Sequence, residues 1–396
     1  MKEFRPETQL NDTLTSLPPS GIRRLFDIAS KIDGVISLGI GEPDFITPWH
    51  IRNAGIRSLE KGKTQYTANS GLAELRREVT VYMKRRFGLE YTEKNVLITV
   101  GGSEAIDLAM RAFIKPGDEV IVPQPSFVCY GPLAKLCGAK PVYIQLKEED
   151  GFKLTPAALK AAITEKTKLL VLPFPNNPTG STLTGAELEA IAEVIRDTKI
   201  IVLSDEIYAE LTYTGQRHRS IASLPGMKER TVIVSGFSKA YAMTGWRLGY
   251  ALAPEHVCAA LTKLHQYAIM CAPTASQYAA IEALSAGDED IEEMRREYNY
   301  RRRLIVKGFN DLGLKCTEPE GALYCFPNIT SSGLGSEDFC EQLLSEEKIA
   351  LVPGNAFGES GEGFVRASYA YSADHIKKAL EGVARFLEKR KGANRL

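Results

Sequence analysis

The chain has 396 residues, of which 44% are hydrophobic and 25% are charged, a composition typical of a globular protein that can bury a large core. Lys and Arg together number 49, as do Asp and Glu, so the formal net charge at pH 7 is +0. This balance argues against proteins that bind nucleic acid or anionic membranes through a general electrostatic attraction. We therefore expect neither nucleic acid nor a membrane as a partner.

The beginning of the chain gives no sign of a targeting signal. The stretch MKEFRPETQLNDTLTSLPPS contains no apolar core of signal-peptide length. No run approaches the ~18 consecutive apolar residues of a membrane span. The seven cysteines are scattered without a C-x-x-C pair, which favours reduced core residues over a disulfide framework, a metal site or a catalytic thiol. We expect a cytoplasmic protein without a metal site.

Short apolar runs rich in Val, Ile and Leu alternate with helical patterns through the first part of the chain. Such runs are typical of strands buried on both faces, and their alternation with helices predicts a mostly parallel, doubly wound sheet. The predicted strands are, in chain order, 95–100, 118–125, 140–146, 168–175, 199–206, 231–238 and 248–254. We assign residues 46–280 to this large α/β domain.

A different pattern follows the large domain. The charged helical stretch EDIEEMRREYNYRRRLIVKGFNDLG comes first, then mixed short strands and a final helix, HIKKALEGVARFLEKRK. We predict that residues 281–396 join residues 1–45 in a second, smaller domain. Acidic residues interleave with the basic run RREYNYRRR, so we expect that run to be a solvated helix face rather than a nucleic-acid patch.

Chemically interesting residues follow the predicted strands directly, which is where ligands bind in sheets of this kind. Gly101, Gly102 and Ser103 open a helix whose backbone N–H groups can cradle a phosphate, although a serine-capped helix start explains the same residues. Asp205 ends the strand KIIVLSD, where an aspartate is commonly a cap or an ion-pair partner. Lys239 lies on a turn after VIVSG, where an isolated lysine is usually a solvated amine.

Taken together, these residues favour one cofactor. An amine for a Schiff base, a carboxylate for a pyridinium nitrogen and a phosphate cradle are what pyridoxal 5′-phosphate requires. The stretches PNNPTG, SDEIY and SGFSKAYAMTGWRLGY, in this order, resemble the class I/II aminotransferases of the aspartate and aromatic aminotransferase type. The likeness runs nearly end to end, from SLGIGEPDFITP to FVRASYA. It implies the α/β pyridoxal-phosphate-dependent transferase fold, with a large, mostly parallel doubly wound domain and a smaller α+β domain.

The resemblance implies a role for each matching residue around the cofactor ring. Lys239 would hold the cofactor through a Schiff base and then act as general base and acid. Asp205 would pair with the protonated ring nitrogen. Asn177 and Tyr208 would hydrogen-bond the phenolic oxygen, and Phe127 would stack on the ring.

The resemblance also implies a phosphate site. The groups expected there are the backbone of Gly102, Ser103 and Glu104, the Ser103 hydroxyl, Arg247 and the region of Ser238. Two positions depart from the family pattern. Many relatives carry a hydroxyl where this chain has Gly236, and some carry tryptophan in place of Phe127.

Substrate binding and assembly are implied by matches closer to the two ends. Arg366 matches the arginine whose planar donors bind the substrate α-carboxylate, and Gly41 and Asn177 match further contacts to the substrate. Tyr66 matches a tyrosine that reaches the phosphate of the neighbouring subunit. The resemblance therefore implies a homodimer with shared active sites.

The reaction implied is ping-pong transamination between an L-amino acid and a 2-oxo acid, through pyridoxamine phosphate. The catalytic residues also suit a pyridoxal-dependent carbon–sulfur β-lyase, and this alternative stays open. A regulator with an aminotransferase-like half would need an added DNA-binding segment, for which the sequence offers no candidate. The expected donor is an aromatic amino acid, aspartate or a related one, and alanine and acylated diaminopimelate also stay open. Ile22, Tyr66 and Phe127 are candidates for an apolar pocket wall.

Overall fold

A computed structural model describes residues 9–17 and 32–393 of the chain, with side chains described up to residue 390. The α-helices are α1 Asp12–Thr15, α2 Trp49–Glu60, α3 Ala73–Phe87, α4 Gly101–Phe113, α5 Tyr130–Leu136, α6 Pro156–Ala162, α7 Gly185–Ile195, α8 Glu255–Ala268, α9 Thr274–Ala286, α10 Asp288–Asp311, α11 Ser336–Glu347 and α12 Ala373–Ala393. The strands are β1 Ile36–Ser37, β2 Val96–Thr99, β3 Glu119–Gln124, β4 Lys140–Gln145, β5 Thr167–Leu172, β6 Ile201–Asp205, β7 Thr231–Gly236, β8 Gly249–Leu252, β9 Tyr324–Cys325, β10 Ile349–Ala350, β11 Val352–Pro353 and β12 Val365–Ser368. Within these two ranges, no helix combines the length and the apolar character needed to cross a membrane.

The central element of the fold is a seven-stranded sheet in the order β2-β8-β7-β6-β5-β3-β4. Strands β4, β3, β5, β6 and β7 are parallel, whereas β8 runs antiparallel to both of its neighbours, β7 and β2. Each of the predicted strands is present, and the predicted mostly parallel sheet is confirmed. Because β2 and β7 both run opposite to β8, their carboxyl ends meet at the same edge as those of β5 and β6.

Helices cover both faces of this sheet, which is why its strands are apolar at nearly every position. Leu97 and Val120 belong to a buried cluster that includes residues of α4 and α8. The next residue on each strand faces the other way. Ile98 packs in a cluster with α3 and α9, and Ile121 packs in a cluster with α7. Successive side chains therefore enter opposite cores, as the two-residue period of a strand requires.

The C-terminal part of the chain builds a further core. Strands β11, β12 and β9 form an antiparallel sheet, and β1 pairs in parallel with β10. Buried residues of α10, α11 and α12 cluster there together with Leu38. This shared cluster and the pairing of β1 with β10 support the assignment of the N-terminal segment to the smaller domain, whose boundaries stay a prediction.

The basic run RREYNYRRR lies in α10, but the expectation of a solvated face is wrong for two of its arginines. Arg301 and Arg302 are only 7% and 5% exposed. Arg301 Nη1 donates to both carboxylate oxygens of Asp44, at 2.7 and 2.8 Å, and Arg302 Nη1 donates to the Pro319 carbonyl at 2.8 Å. A guanidinium can be buried when carboxylate and carbonyl oxygens accept its hydrogens, so these two arginines fasten α10 to neighbouring segments.

Candidate active site

A cavity of about 480 Å³ lies at the edge of the sheet where β5, β6 and β7 end and α4 begins. Ligands of doubly wound sheets bind at this edge. The predicted site residues that line the cavity are Gly41, Gly102, Ser103, Phe127, Asn177, Asp205, Tyr208, Ser238, Lys239, Arg247 and Arg366. The fold therefore brings together residues that the sequence spreads from the N-terminal to the C-terminal segment.

Lys239 presents an amine to the cavity from the loop between β7 and β8. Its Nζ donates to the Gly41 carbonyl at 2.6 Å and lies 6.0 Å from the centre of the Tyr208 ring. Strand β7 ends at Gly236, where a Cβ would lie 2.9 Å from Cα of Gly249 on β8. A side chain at this position would therefore require β7 and β8 to move apart.

Asp205, the last residue of β6, places a buried carboxylate at the cavity with only 7% of the residue exposed. The Tyr130 hydroxyl donates to Oδ2 at 2.7 Å, and the Ile207 amide donates to Oδ1 at 3.2 Å. Burial nevertheless raises the pKa of Asp205 above its ordinary value, because desolvation outweighs these two hydrogen bonds. Since Asp205 forms no ion pair with any described residue, a cation bound in the cavity would stabilise its charged form.

Arg366 on β12 places a buried guanidinium at the same cavity, with 4% of the residue exposed. Nη1 donates to Asn177 Oδ1 at 2.9 Å, and Nη2 donates to the Gly39 carbonyl. Its Nε is buried without a hydrogen-bond partner among the described residues, none of which offers the guanidinium a carboxylate. Burial lowers the pKa of Arg366 from its ordinary value, and a bound carboxylate would offset that cost.

Tyr208 and Tyr324 form a hydroxyl pair beside Gly41. Their Oη atoms lie 2.8 Å apart, and the two rings meet edge to face with centroids 5.8 Å apart. Burial raises the pKa of Tyr208 well above its ordinary value, so this phenol stays protonated and can donate. A Cβ at position 41 would lie 1.8 Å from Tyr324 Oη, so a glycine is required for the N-terminal segment to approach the pair.

The first turn of α4 forms another wall of the cavity. Gly101 has φ +76°, in the left-handed region that favours glycine, and a Cβ there would lie 2.8 Å from Nη2 of Arg247. Arg247 itself has φ 52°, a conformation that costs energy in a non-glycine residue and clusters at functional sites. The first N–H groups of a helix have no intrahelical acceptors and attract anions, so this wall suits a phosphate.

Two predicted residues do not line the cavity. Glu104 turns its carboxylate back to the Val100 amide, at 2.5 Å, and to Nδ1 of His265, at 2.6 Å. Tyr66 is 80% exposed and lies outside the cavity of its own chain. Ile22, expected in the pocket wall, lies outside the described residues.

Sequence reasoning missed two tyrosines that the structure places in the cavity wall, Tyr130 and Tyr324. Tyr130 follows Phe127 in FVCYG, and their rings are 6.3 Å apart, but Phe127 precedes the helix that begins at Tyr130, so helical spacing gives no signal. Tyr324 lies in the apolar stretch ALYCF, which indicates core and gives no signal of a site.

The groups around the cavity fit pyridoxal 5′-phosphate, the cofactor that the sequence predicts. The lysine amine matches the aldehyde of this cofactor, and the buried carboxylate without an ion-pair partner matches its ring nitrogen. The protonated phenol matches the phenolic oxygen. The helix N-terminus beside an arginine matches the phosphate. The unpartnered Nε of Arg366 leaves a donor for the carboxylate of a substrate. In the described parts of the chain, no cluster of three or more His, Cys, Asp or Glu side chains suits a metal ion.

Comparisons with known proteins match nearly the whole chain. The family model for aminotransferase class I and II matches residues 33–383. The chain is 53% identical over 381 residues to the putative aminotransferase YugH of Bacillus subtilis strain 168, covering 96% of this chain and 98% of that protein. It is 44% identical over 385 residues to an aspartate aminotransferase of Pyrococcus abyssi, covering 96% and 99% of the two chains. The crystal structure of an aromatic aminotransferase from Pyrococcus horikoshii OT3 has a TM-score of 0.89 at 44% identity, covering 93% of this chain and 99% of that chain.

Proposed function

The chain belongs to the class I and II aminotransferase family, and we propose that it moves the amino group of an L-amino acid to a 2-oxo acid in a ping-pong reaction with pyridoxal 5′-phosphate as cofactor. The predicted fold and the expected enzyme class are confirmed by the family match and by the relatives. The three relatives described above are named as aminotransferases, and none is named as a lyase. The two half-reactions, the residue roles and the donor are our proposals.

One feature of the cavity carries the proposal. The carboxylate of Asp205 and the guanidinium of Arg366 are both buried, and neither forms an ion pair with any described residue. Burying an unpaired charge costs several kcal/mol, so a fold that keeps two of opposite sign around one cavity is suited to a ligand that supplies both partners. An amino acid on a pyridine cofactor does so, with a ring cation and an α-carboxylate.

Lys239 is the residue to which we assign the proton transfers. When bound, pyridoxal 5′-phosphate supplies an electron sink for the electron pair released at the substrate Cα. Nζ of Lys239 would first hold the cofactor and, once displaced by the substrate amine, would remove the Cα proton and deliver it to the former aldehyde carbon, C4′, of the cofactor. Its hydrogen-bond partner is a neutral carbonyl, that of Gly41, so the amine is not held in an ion pair.

The remaining lining residues would orient the reacting groups. Asp205, fixed by Tyr130, would keep the ring nitrogen protonated, and Tyr208 would donate to the phenolic oxygen. Asn177 Oδ1 accepts from Arg366, which leaves its Nδ2 to donate to the same phenolic oxygen. Phe127 would stack on the ring.

Different lining residues would bind the substrate and the phosphate. The planar donors of Arg366 would bind the α-carboxylate beside the Gly41 backbone. The phosphate site we propose comprises the backbone N–H groups of Gly102, Ser103 and Glu104, the Ser103 hydroxyl, Ser238 and Arg247.

We also propose a homodimer in which each active site is shared. Tyr66 and Tyr267 are 80% and 78% exposed, and Met270 is 45% exposed. Their segments are adjacent, because Asn69 Nδ2 donates to the Met270 carbonyl at 2.8 Å. Exposed apolar side chains gathered on one surface mark a protein interface, and a second copy of the chain would cover this one. Tyr66 would then reach the phosphate of the partner.

Mixing two defective variants tests the shared site. Lys239→Ala and Tyr66→Ala proteins, unfolded together and refolded as hybrids, should regain amino transfer, because each hybrid combines one intact Lys239 with the other subunit's intact Tyr66. The rate is compared with that of the separately refolded variants, and hybrid formation is checked with two affinity tags. Hybrids no more active than the separate variants would contradict a shared site.

Asp205→Asn should nearly abolish labilisation of the substrate α-proton, because an amide cannot hold the ring nitrogen in its protonated form. We expect a decrease of about 10²–10³-fold, the range found when one preorganised stabilising group is removed. Exchange of the α-proton with deuterated water, followed by NMR, measures it. Asp197→Asn, at an exposed aspartate outside the cavity, serves as the control. Exchange at the normal rate in Asp205→Asn would exclude the assigned role.

The donor is proposed to be an aromatic amino acid, aspartate or a related amino acid, and it can be identified one amino acid at a time. The cofactor-loaded protein is mixed with a single amino acid and no acceptor, and the absorbance of the bound cofactor is followed. A true donor should change that absorbance and release one equivalent of its 2-oxo acid, without ammonia. Release of pyruvate and ammonia from cystathionine would favour a β-lyase instead.

A further inference from the structure

The carboxylate of Glu104 lies beside the proposed phosphate site without facing it. Glu104 belongs to the first turn of α4, directly after Gly102 and Ser103, which line the cavity. Its Oε2 accepts the Val100 amide at 2.5 Å, one turn back. The carboxylate therefore accepts a hydrogen bond from the amide that precedes the helix. The amides of the first turn stay available to a ligand in the cavity.

His265 holds the carboxylate in this position. Its Nδ1 donates to Glu104 Oε1 at 2.6 Å from α8, and the two side chains are 0% and 12% exposed. A carboxylate can only accept, so Nδ1 carries the hydrogen. Nε2 of the same ring is buried without a partner among the described residues. The bond to Glu104 is thus the single side-chain hydrogen bond that His265 makes within the described structure.

A helix N-terminus attracts one anion at close range, and a carboxylate in the first turn competes with a ligand for it. If Glu104 were released, its negative charge would be free to approach the amides of Gly102 and Ser103 and to repel a phosphate there. We infer that Glu104 and His265 form a positioning pair that keeps the N-terminus of α4 open for the phosphate of the cofactor. This inference rests on the proposed function.

The phosphate preference of the apoprotein tests the inference without reference to activity. Dissociation constants are measured by equilibrium dialysis for pyridoxal 5′-phosphate and for pyridoxal, which lacks the phosphate. Both aldehydes can react with Lys239, so the covalent contribution cancels in their ratio. His265→Leu should lower the preference for the phosphorylated ligand about tenfold, because a negative charge at a helix N-terminus exerts an effect of this order in a partly buried site. Its affinity for pyridoxal should stay as in the wild type.

The double variant Glu104→Gln, His265→Leu should regain the preference, because the released side chain no longer carries a charge. His265→Asn, which keeps a donor near the position of Nδ1, should retain most of it. The matched control is His218→Leu, because His218 Nε2 lies 3.0 Å from Glu206 Oε2 in another buried pair that includes no residue of α4. For His218→Leu, the ratio of the dissociation constants for pyridoxal and pyridoxal 5′-phosphate should equal that of the wild type.

Variants at Glu104 keep the test decisive if His265→Leu does not fold. Glu104→Asp keeps the charge but withdraws it from Val100 and His265, so the preference should fall, whereas Glu104→Gln should preserve it. If the pair of Glu104 and His265 has a merely structural role, these variants should change thermal unfolding but not the ratio of the two dissociation constants. That result would overturn the inference while leaving the proposed function intact. A wild-type protein with no preference for the phosphorylated ligand would overturn both.

Discussion

Lys239→Ala should abolish amino transfer while leaving the fold and the cavity in place. The substitution removes the group that would hold the cofactor and the group that would move the Cα proton, and the second role alone is worth about 10²–10⁴-fold in rate. The half-buried side chain makes one hydrogen bond, to the Gly41 carbonyl, so its loss should cost little stability. Stopped-flow absorbance with a true donor measures the rate, and circular dichroism reports the fold.

The control for this variant is Lys160→Ala, which removes an exposed ammonium on α6 outside the cavity. It should transfer amino groups at the normal rate. The Lys239→Ala protein should still bind pyridoxal 5′-phosphate reversibly, because the proposed phosphate and ring contacts remain. Normal turnover by Lys239→Ala would remove Lys239 from the mechanism.

Arg366→Lys should lower kcat/KM by about tenfold to more than a hundredfold for each amino acid that the enzyme accepts. Lysine keeps the positive charge but loses the planar pair of donors, and losing one hydrogen bond to a charged group costs roughly 1.5–3 kcal/mol. The contact of Arg366 with Asn177 would also be lost. Steady-state kinetics with the identified donor, at constant cofactor content, measure the effect.

An amine without a carboxylate provides the internal control for Arg366. Its slow reaction should be nearly indifferent to Arg366→Lys, because it has nothing to place against the guanidinium. Cofactor content should also be unchanged, since Arg366 is not among the residues of the proposed phosphate site. Equal slowing of the amine and of the amino acids, or no slowing of either, would make Arg366 a structural residue instead.

The sequence predicted the sheet and the strand-end residues well for a physical reason. Strands buried on both faces must be apolar throughout, so β5, β6 and β7 stand out as runs, and the residue after each run has to lie at the sheet edge. Asp205 and Lys239 are identifiable in this way without a structure. Gly41 and Arg366 lie far from that edge in the chain, and only the resemblance to a known family pointed to them.

The sequence could not predict contacts that depend on tertiary packing. Tyr324 lies in an apolar stretch and is indistinguishable from core until the fold brings its hydroxyl to Tyr208. Glu104 was expected at the phosphate through its backbone, and its place after Gly102 and Ser103 gives no sign that a partner on the distant α8 holds its carboxylate. Arg301 was expected in solvent because acidic residues interleave with its basic run, and no local signal indicates its contact with the distant Asp44.

Borohydride trapping tests the central claim most directly. The cofactor-loaded protein is reduced, digested and analysed by mass spectrometry, with and without prior addition of the identified donor amino acid. We predict that reduction fixes the cofactor on the peptide containing Lys239, and that prior addition of the donor without an acceptor prevents this labelling, because the substrate amine has displaced Nζ. Labelling of a different lysine, or labelling of Lys239 that persists after the donor has reacted, would contradict the proposed role of this cavity.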